Sequence, residues 1–320
     1  RAVFIIDDPD EYPSTYGPQI LSTLYDGWRL DYCSNDPTTI VALANRAGAG
    51  GFKSGKYSGG AWTLFSTQPY TGGNGGTIAA ATSSNIMMCP ANGASGKVPR
   101  YTKDGGATWA DVPGLPASNW IVSNLFNTRI IAADRVNIGT FYIYNYGTPG
   151  LYRTTDGGDT TALIYSGHIV PNANGGNFQM RATPVAGDLW FTGGETDGSG
   201  HPYPTGTFKR GSVATDGTVT LTTIADVLEV RCFGFGKARS GAAYAVYIVG
   251  WVDGDYGIWR SEDYGVTWRL VGDFPNGNFD YPKCISGDMN IAGRAYVGFS
   301  GTGFAYSNTD RATVRASAVT

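Results

Sequence analysis

The chain has 320 residues, a formal charge of −3 and only 15% charged side chains, with no cluster of Lys or Arg. This excludes the electrostatic footprint of a nucleic-acid binder, and the longest nearly uninterrupted apolar run, Ala242–Val252, is too short to span a bilayer. Glycine, at 47 residues, is about double its usual share, and aromatics reach 13%, so short strands and tight turns in an all-β fold are expected.

In chain order, Ala2–Ile6 (AVFII) reads as a buried strand ending in the carboxylate-rich run Asp7-Asp8-Pro9-Asp10-Glu11. Tyr12, Tyr16, Tyr25 and Trp28 follow, suited either to packing or to a sugar platform. Leu30–Leu43 reads as strand, Asn-Asp-Pro turn and strand. Thr77–Ala81 and Ile86–Cys89 form the next pair. Ile130–Tyr146 is a strand, a turn over Ala133–Asn137 and the aromatic strand Phe141–Tyr144. Pro171–Gly176 is a polar loop, Gly187–Thr192 a strand, and Gly193–Pro204 a long loop carrying Glu195 and Asp197. Cys232–Lys237 precedes the apolar strand Tyr244–Val249. Three strand segments between Ile285 and Tyr306 end the pattern.

One stretch recurs. Ser261-x-Asp263-x-Gly265-x-Thr267-Trp268 joins two strands, and Thr102–Trp109 and Thr154–Thr161 repeat it. Asp in such a loop accepts backbone N–H groups, Gly supplies a positive φ, and Trp covers the hairpin, so the box is a folding device and not a catalytic one. Eroded copies fall at Gly59–Trp62, Ser212–Leu221 and Ser307–Val314, and equivalent positions recur every 46 to 58 residues. That period is one four-stranded blade of a β-propeller. With the strand group Arg1–Leu30 left over, the count predicts a single seven-bladed propeller spanning 1–320. Ala2–Ile6 is expected to complete a sheet with C-terminal strands, and Arg1 to mark an excised or processed start of a longer protein.

The four cysteines (Cys33, Cys89, Cys232, Cys284) lack metal-ligand spacing and read as buried thiols, with one disulfide between blades as the alternative. With two histidines, His168 and His201, no metal site and no cofactor are expected.

The order of landmarks resembles the C-terminal propeller of family-74 glycoside hydrolases, the xyloglucanases. The matching pieces are Leu30-Asp31-Tyr32 with Asn35-Asp36-Pro37, Asp134–Asn137 with Phe141-Tyr142, and Gly187–Trp190. Phe233–Ala238, the Gly257–Trp268 box, and Gly287-Asp288 with Gly293–Tyr296 complete the series. The resemblance implies two propellers facing across a cleft and inverting hydrolysis by two carboxylates about 6.5–9.5 Å apart. Its general acid ends a Gly-Asp strand followed by Gly-Phe and His. Here the strand ends Ile6-Asp7-Asp8-Pro9, so Asp8 is the nearest equivalent, with Asp7 and Glu11 as further catalytic candidates. A raised carboxyl pKa is expected there, from burial and neighbouring charge. The family's general base lies in the propeller that this chain lacks. Asp10, Glu11, Asp134, Glu195, Asp255 or a partner, such as a second propeller or an oligomer, would supply the second carboxylate.

Candidate substrate-binding residues are Tyr12, Tyr16, Trp28, Trp120, Asp134, Arg135, Tyr203, Phe235 and Lys237. Two readings follow: an extracellular glycosidase cutting within a β-linked polysaccharide, or a binding propeller for a glycan or receptor, as in a phage tailspike or an adhesin. Sialidases share the box, but the N-terminal Arg-Ile-Pro they carry is absent, Val98-Pro99-Arg100 being the nearest feature.

Overall fold

The computed structural model describes residues 6, 8–11, 26–46, 51–70, 75–90, 98–117, 120, 128–170, 178–194, 207–239, 241–272, 281–299 and 303–307. It is all-β, and no helical segment occurs among the described residues. Two compact units divide the chain: Arg1–His168 with Val213–Val219, and Ile169–Ser212 with Thr220–Thr320.

In the first unit, three antiparallel four-stranded sheets follow one another along the chain. The first holds β1 (Asp26–Cys33), β2 (Asp36–Arg46), β3 (Gly51–Ser58) and β4 (Ala61–Leu64). β5 (Gly76–Ala80), β6 (Ile86–Pro90), β7 (Arg100–Thr102) and β8 (Ala110–Asp111) make the second. The third consists of β9 (Ile131–Ala133), β10 (Phe141–Asn145), β11 (Gly150–Thr154) and β12 (Ala162–Ser166).

The second unit continues the pattern. Its first sheet holds β13 (Gln179–Ala182), β14 (Asp188–Thr192), β15 (Phe208–Val213) and β16 (Val219–Thr223), with the hairpin turn into β16 grouped with the first unit. β17 (Val227–Gly236), β18 (Ala245–Val252), β19 (Asp255–Ser261) and β20 (Arg269–Gly272) follow. The last sheet shows β21 (Pro282–Gly287), β22 (Ala295–Phe299) and β23 (Phe304–Ser307).

Each sheet is the up-and-down meander of a propeller blade. The described residues form six of them, not the seven expected from sequence. The miscount has a local cause. Leu30 was counted in a separate N-terminal group, yet it lies in β1, the first strand of the sheet whose last hairpin turns at Gly59-Gly60. The strand expected at Ala2–Ile6 lies outside the described residues apart from Ile6.

β18 shows why an apolar run becomes a strand here. Val246 and Ile248 join a core with Trp190 and Phe208 of the preceding sheet, while Tyr247 and Val249 join one with Ile285 and Val297 of the following sheet. Alternate side chains thus enter two different cores, and a strand covered on both faces is apolar at every position. The four cysteines are free thiols, three of them buried and Cys284 exposed.

A meander has two edges. The turns between the first and second strands, and between the third and fourth, share one edge, which carries the boxes. The second-to-third links and the connections between sheets leave from the other.

Candidate functional site

The box edge is built from side chains serving their own turns. In the best copy, the Ser261 hydroxyl donates to Asp263 Oδ1 at 2.8 Å and accepts the Gly265 amide at 2.8 Å. Thr267 donates its amide to Asp263 Oδ1 at 2.9 Å and its hydroxyl to Oδ2 at 2.5 Å. Thr102-Asp104-Thr108 and Thr154-Asp156-Thr160 repeat this set. Asp104 lies well below the usual carboxylate range, first because of the Thr108 hydroxyl and amide and then the Thr102 hydroxyl. Burial would raise Asp156 and Asp263, but the donors of their turns outweigh it and hold both low. In the three clean boxes each carboxylate is occupied by the donors of its own turn, which is the folding role expected from sequence.

The three clean boxes also fasten the second, third and fifth sheets to the ones before them. Trp109 Nε1 donates to the Thr67 carbonyl at 2.9 Å, and its ring lies 5.6 Å from Phe65. Thr161, in the Trp position, donates its hydroxyl to the Pro113 carbonyl. Trp268 packs against Phe208 at 6.4 Å. The box glycines press on the same neighbours: a Cβ on Gly106 (φ 91°) would come within 2.6 Å of the Phe65 ring, and one on Gly158 (φ 118°) within 2.5 Å of Tyr101.

Several predicted substrate contacts prove to be fasteners on this edge. Asp134, 1% exposed, accepts the amides of Val136 and Asn137 at 2.9 and 2.8 Å and the Tyr142 hydroxyl at 3.1 Å. Asp288 does the same with Asn290, Ile291 and Tyr296, at identical spacing to the tyrosine. This second repeated device escaped the sequence reading, although Asp134-x₇-Tyr142 and Asp288-x₇-Tyr296 were there to be aligned. Arg135 pairs with Asp31, donates to the Tyr32 carbonyl at 2.9 Å and stacks 4.1 Å from the Tyr32 ring, tying β1 to the hairpin after β9. Phe235 sits among Phe233 and Tyr244, and Lys237 Nζ donates to the Asn290 carbonyl. Trp120 is no sugar platform: it is 1% exposed, with Nε1 on the Pro116 carbonyl and its ring against Tyr152.

The catalytic candidates are placed only in part. Asp8 is exposed in a turn, where Oδ1 accepts the Asp10 amide at 2.9 Å and its carbonyl accepts the Glu11 amide. The burial expected at this position is absent. Glu11 is also exposed. Asp7, Tyr12, Tyr16, Glu195, Asp197, His201 and Tyr203, with the side chain of Trp28, lie outside the described residues. Asp255 begins β19 at a hairpin where Asp253 and Gly254 take positive φ, and it is exposed. Among the described residues no group of three or more His, Cys, Asp or Glu is arranged to hold a metal.

The edge opposite the boxes in the second unit carries groups that sequence reasoning passed over. Tyr281, just before β21, is 57% exposed, and the Arg231 guanidinium lies 4.5 Å from its ring centre. Gln179 donates to the Arg231 carbonyl at 2.9 Å, and Glu229, two residues earlier, is 1% exposed. An exposed aromatic ring beside an arginine is chemistry suited to holding a sugar. No local motif announces it, because the residues come from the starts of separate first strands.

Comparison with known proteins follows the same line. No family model matches the chain. A xyloglucanase of Paenibacillus sp is 30% identical over 311 residues, covering 94% of this chain and 27% of that protein. A xyloglucanase of Acetivibrio thermocellus is 29% identical over 240 residues, covering 74% of this chain and 25% of that one. The crystal structure of the GH74 xyloglucanase from Xanthomonas campestris matches with a TM-score of 0.69 at 26% identity, over 90% of this chain and 38% of that one. The chain therefore spans about a quarter of the length of the curated relatives it matches. No helix among the described residues is long and apolar enough to cross a membrane.

Proposed function

We infer that this chain, a homologue of the GH74 xyloglucanases over most of its length, is a glycoside hydrolase-like propeller acting on polysaccharide outside the cell. The observation that carries the reading is the alignment with the Paenibacillus xyloglucanase over 94% of the chain. In its finer form, Asp8 protonates the leaving glycosidic oxygen of a β-linked glycan, and a second carboxylate activates water on the opposite face. That second group, and the other wall of the cleft, come from a second propeller or an oligomer partner. Tyr281 stacks on a sugar ring beside Arg231. The chain works as one propeller domain of a longer protein.

The test is reducing-end release from xyloglucan by wild type, Asp8→Asn and Tyr281→Ala. The reading expects Asp8→Asn to lower turnover by about 10²–10⁴-fold with binding intact, and Tyr281→Ala to raise KM. Full turnover in Asp8→Asn removes Asp8 from the role.

One observation favours a second reading, a non-catalytic glycan- or receptor-binding propeller. A general acid keeps its proton through burial or a neighbouring charge, and Asp8 is exposed. Xyloglucan retained by wild type without any release of reducing ends decides for binding.

A further inference from the structure

β17 is longer than the strand it pairs with. Val252, Trp251, Gly250 and Val249 of β18 are consecutive, yet they face Val227, Glu229, Val230 and Cys232, so Leu228 and Arg231 are insertions in the ladder. Such a bulge leaves its extra residue unpaired and re-aims the side chain. Between Val227 and Gly234 these two residues alone are half-buried, and the rest are buried.

Side chains of the preceding sheet hold the distorted segment. Thr207 donates its hydroxyl to the Leu228 carbonyl at 2.7 Å, and Thr192 to the Val230 carbonyl at 3.0 Å. The Gln179 amide donates to the Arg231 carbonyl at 2.9 Å. All three donors are at most 4% exposed, and hydrogen bonds made away from water are the stronger for it. From β18, Gly250 leaves no room for a Cβ against the Glu229 carbonyl. A bulge gripped from two sides gives Arg231 a fixed direction.

That direction is toward Tyr281, whose ring centre lies 4.5 Å from the guanidinium. Tyr281 precedes the buried Pro282, which restricts its backbone to extended conformations but leaves the side-chain torsions to be set by contacts. At 57% it is the most exposed aromatic side chain among the described residues. The stacks of Arg135 on Tyr32 and Arg210 on Tyr264 belong to the box edge, where the rings serve turns: the Tyr264 hydroxyl accepts the Ala243 amide. Tyr281 turns more than half its surface to solvent on the opposite edge.

We propose that Arg231 is a positioning residue of the glycan site: the pinned bulge aims its guanidinium at the Tyr281 ring and holds that ring in place before a sugar stacks on it. This rests on the reading above, in which Tyr281 contacts the glycan. A ring ordered in advance loses less freedom on binding, and one side chain so ordered is worth about two- to tenfold in affinity.

The test reads the ring both without and with ligand. In the whole chain carrying isotope-labelled tyrosine, the Tyr281 ring signal is assigned by its loss in Tyr281→Phe, and its order parameter is measured by nuclear magnetic resonance. Arg231→Ala should lower that order parameter in the unliganded protein, and Arg231→Lys, which keeps a cation, should restore most of it. Arg231→Gln, neutral but of similar reach, repeats the test if the alanine variant fails to fold. Titration with xyloglucan oligosaccharide should give a Kd about two- to tenfold higher for Arg231→Ala than for wild type, largely recovered by Arg231→Lys. In a Tyr281→Ala background, Arg231→Ala should add nothing. An unchanged ring order parameter in the neutral variants overturns the positioning role whether or not oligosaccharide binds. An affinity loss that persists undiminished in the Tyr281→Ala background overturns it too, because Arg231 then acts on the sugar without the ring. If Arg231 orders the ring but wild type binds no oligosaccharide, the glycan reading falls and this role falls with it.

Discussion

The glycine of each box does two jobs that no other residue combines. Gly106 takes φ 91° and leaves no room for a Cβ against the Phe65 ring. Gly106→Ala adds backbone strain to overpacking and is expected to cost about 2–5 kcal/mol, read as a fall in denaturant midpoint at constant m. By contrast, Gly60 has φ 83° with nothing within 4 Å of a Cβ, and Gly60→Ala should cost only the strain, about 1–3 kcal/mol. Equal losses at the two positions would show that the Phe65 contact adds nothing. The box carboxylates set the acid limb of stability. Their folded pKa values are depressed relative to the unfolded chain, so the stabilisation is fully present above the unfolded value, about 3.9. It is lost as pH falls through that value toward the folded one. Melting temperature should therefore drop steeply below about pH 4, and Asp263→Asn, less stable at neutral pH, should show a shallower drop. An acid limb identical to wild type in that variant would mean that Asp263 is not linked to folding. At this scale the sequence was readable for the box, where chemistry and spacing are local. It was misleading for Arg135, whose partner Asp31 lies 104 residues away, and for Trp120, buried against Tyr152 of β11, whereas the turn that holds Asp134 was local and went unread.

A single hairpin is a fastener as well as a turn. Trp268 leaves its own box to pack on Phe208 of the preceding sheet, half-buried beside the core that contains Trp190 and Val246. Trp268→Ala should cost about 3 kcal/mol, the low end for truncating a large aromatic, with glycan binding by the folded fraction unchanged. Loss of binding at an unaltered melting temperature would make the box a functional element. Thr161 shows that the fastening does not require tryptophan: its hydroxyl reaches the Pro113 carbonyl instead. The strand-turn-strand order was legible from Leu30 to Tyr306 because β-branched runs alternate with Gly, Asn and Asp turns. The sheet count was not. Strand pairing decides which hairpin a strand belongs to, and β1 pairs with β2 and not with the N-terminal group.

Across the molecule, buried thiols give a probe of cooperativity. Burial pushes the Cys33 thiol up to about 12 and raises Cys89 further still, whereas Cys284 is exposed. Only the thiolate reacts. A thiol reagent at pH 8 should label Cys284 at once, and Cys33, Cys89 and Cys232 only as fast as the protein opens. Fast labelling of Cys33 or Cys232 in the native protein would show that its sheet opens by itself. The first two sheets share the core around Cys33, and the last two share the one around Cys232. The fasteners at the last position of the three clean boxes run one way: the side chain that reaches belongs to the later sheet, and the group that receives belongs to the earlier. Phe65 and Thr67 precede Trp109 in the chain, Pro113 precedes Thr161, and Phe208 precedes Trp268. For these three contacts a ribosome delivers the chain in the order in which it can be assembled, each dock emerging before the hook meant for it.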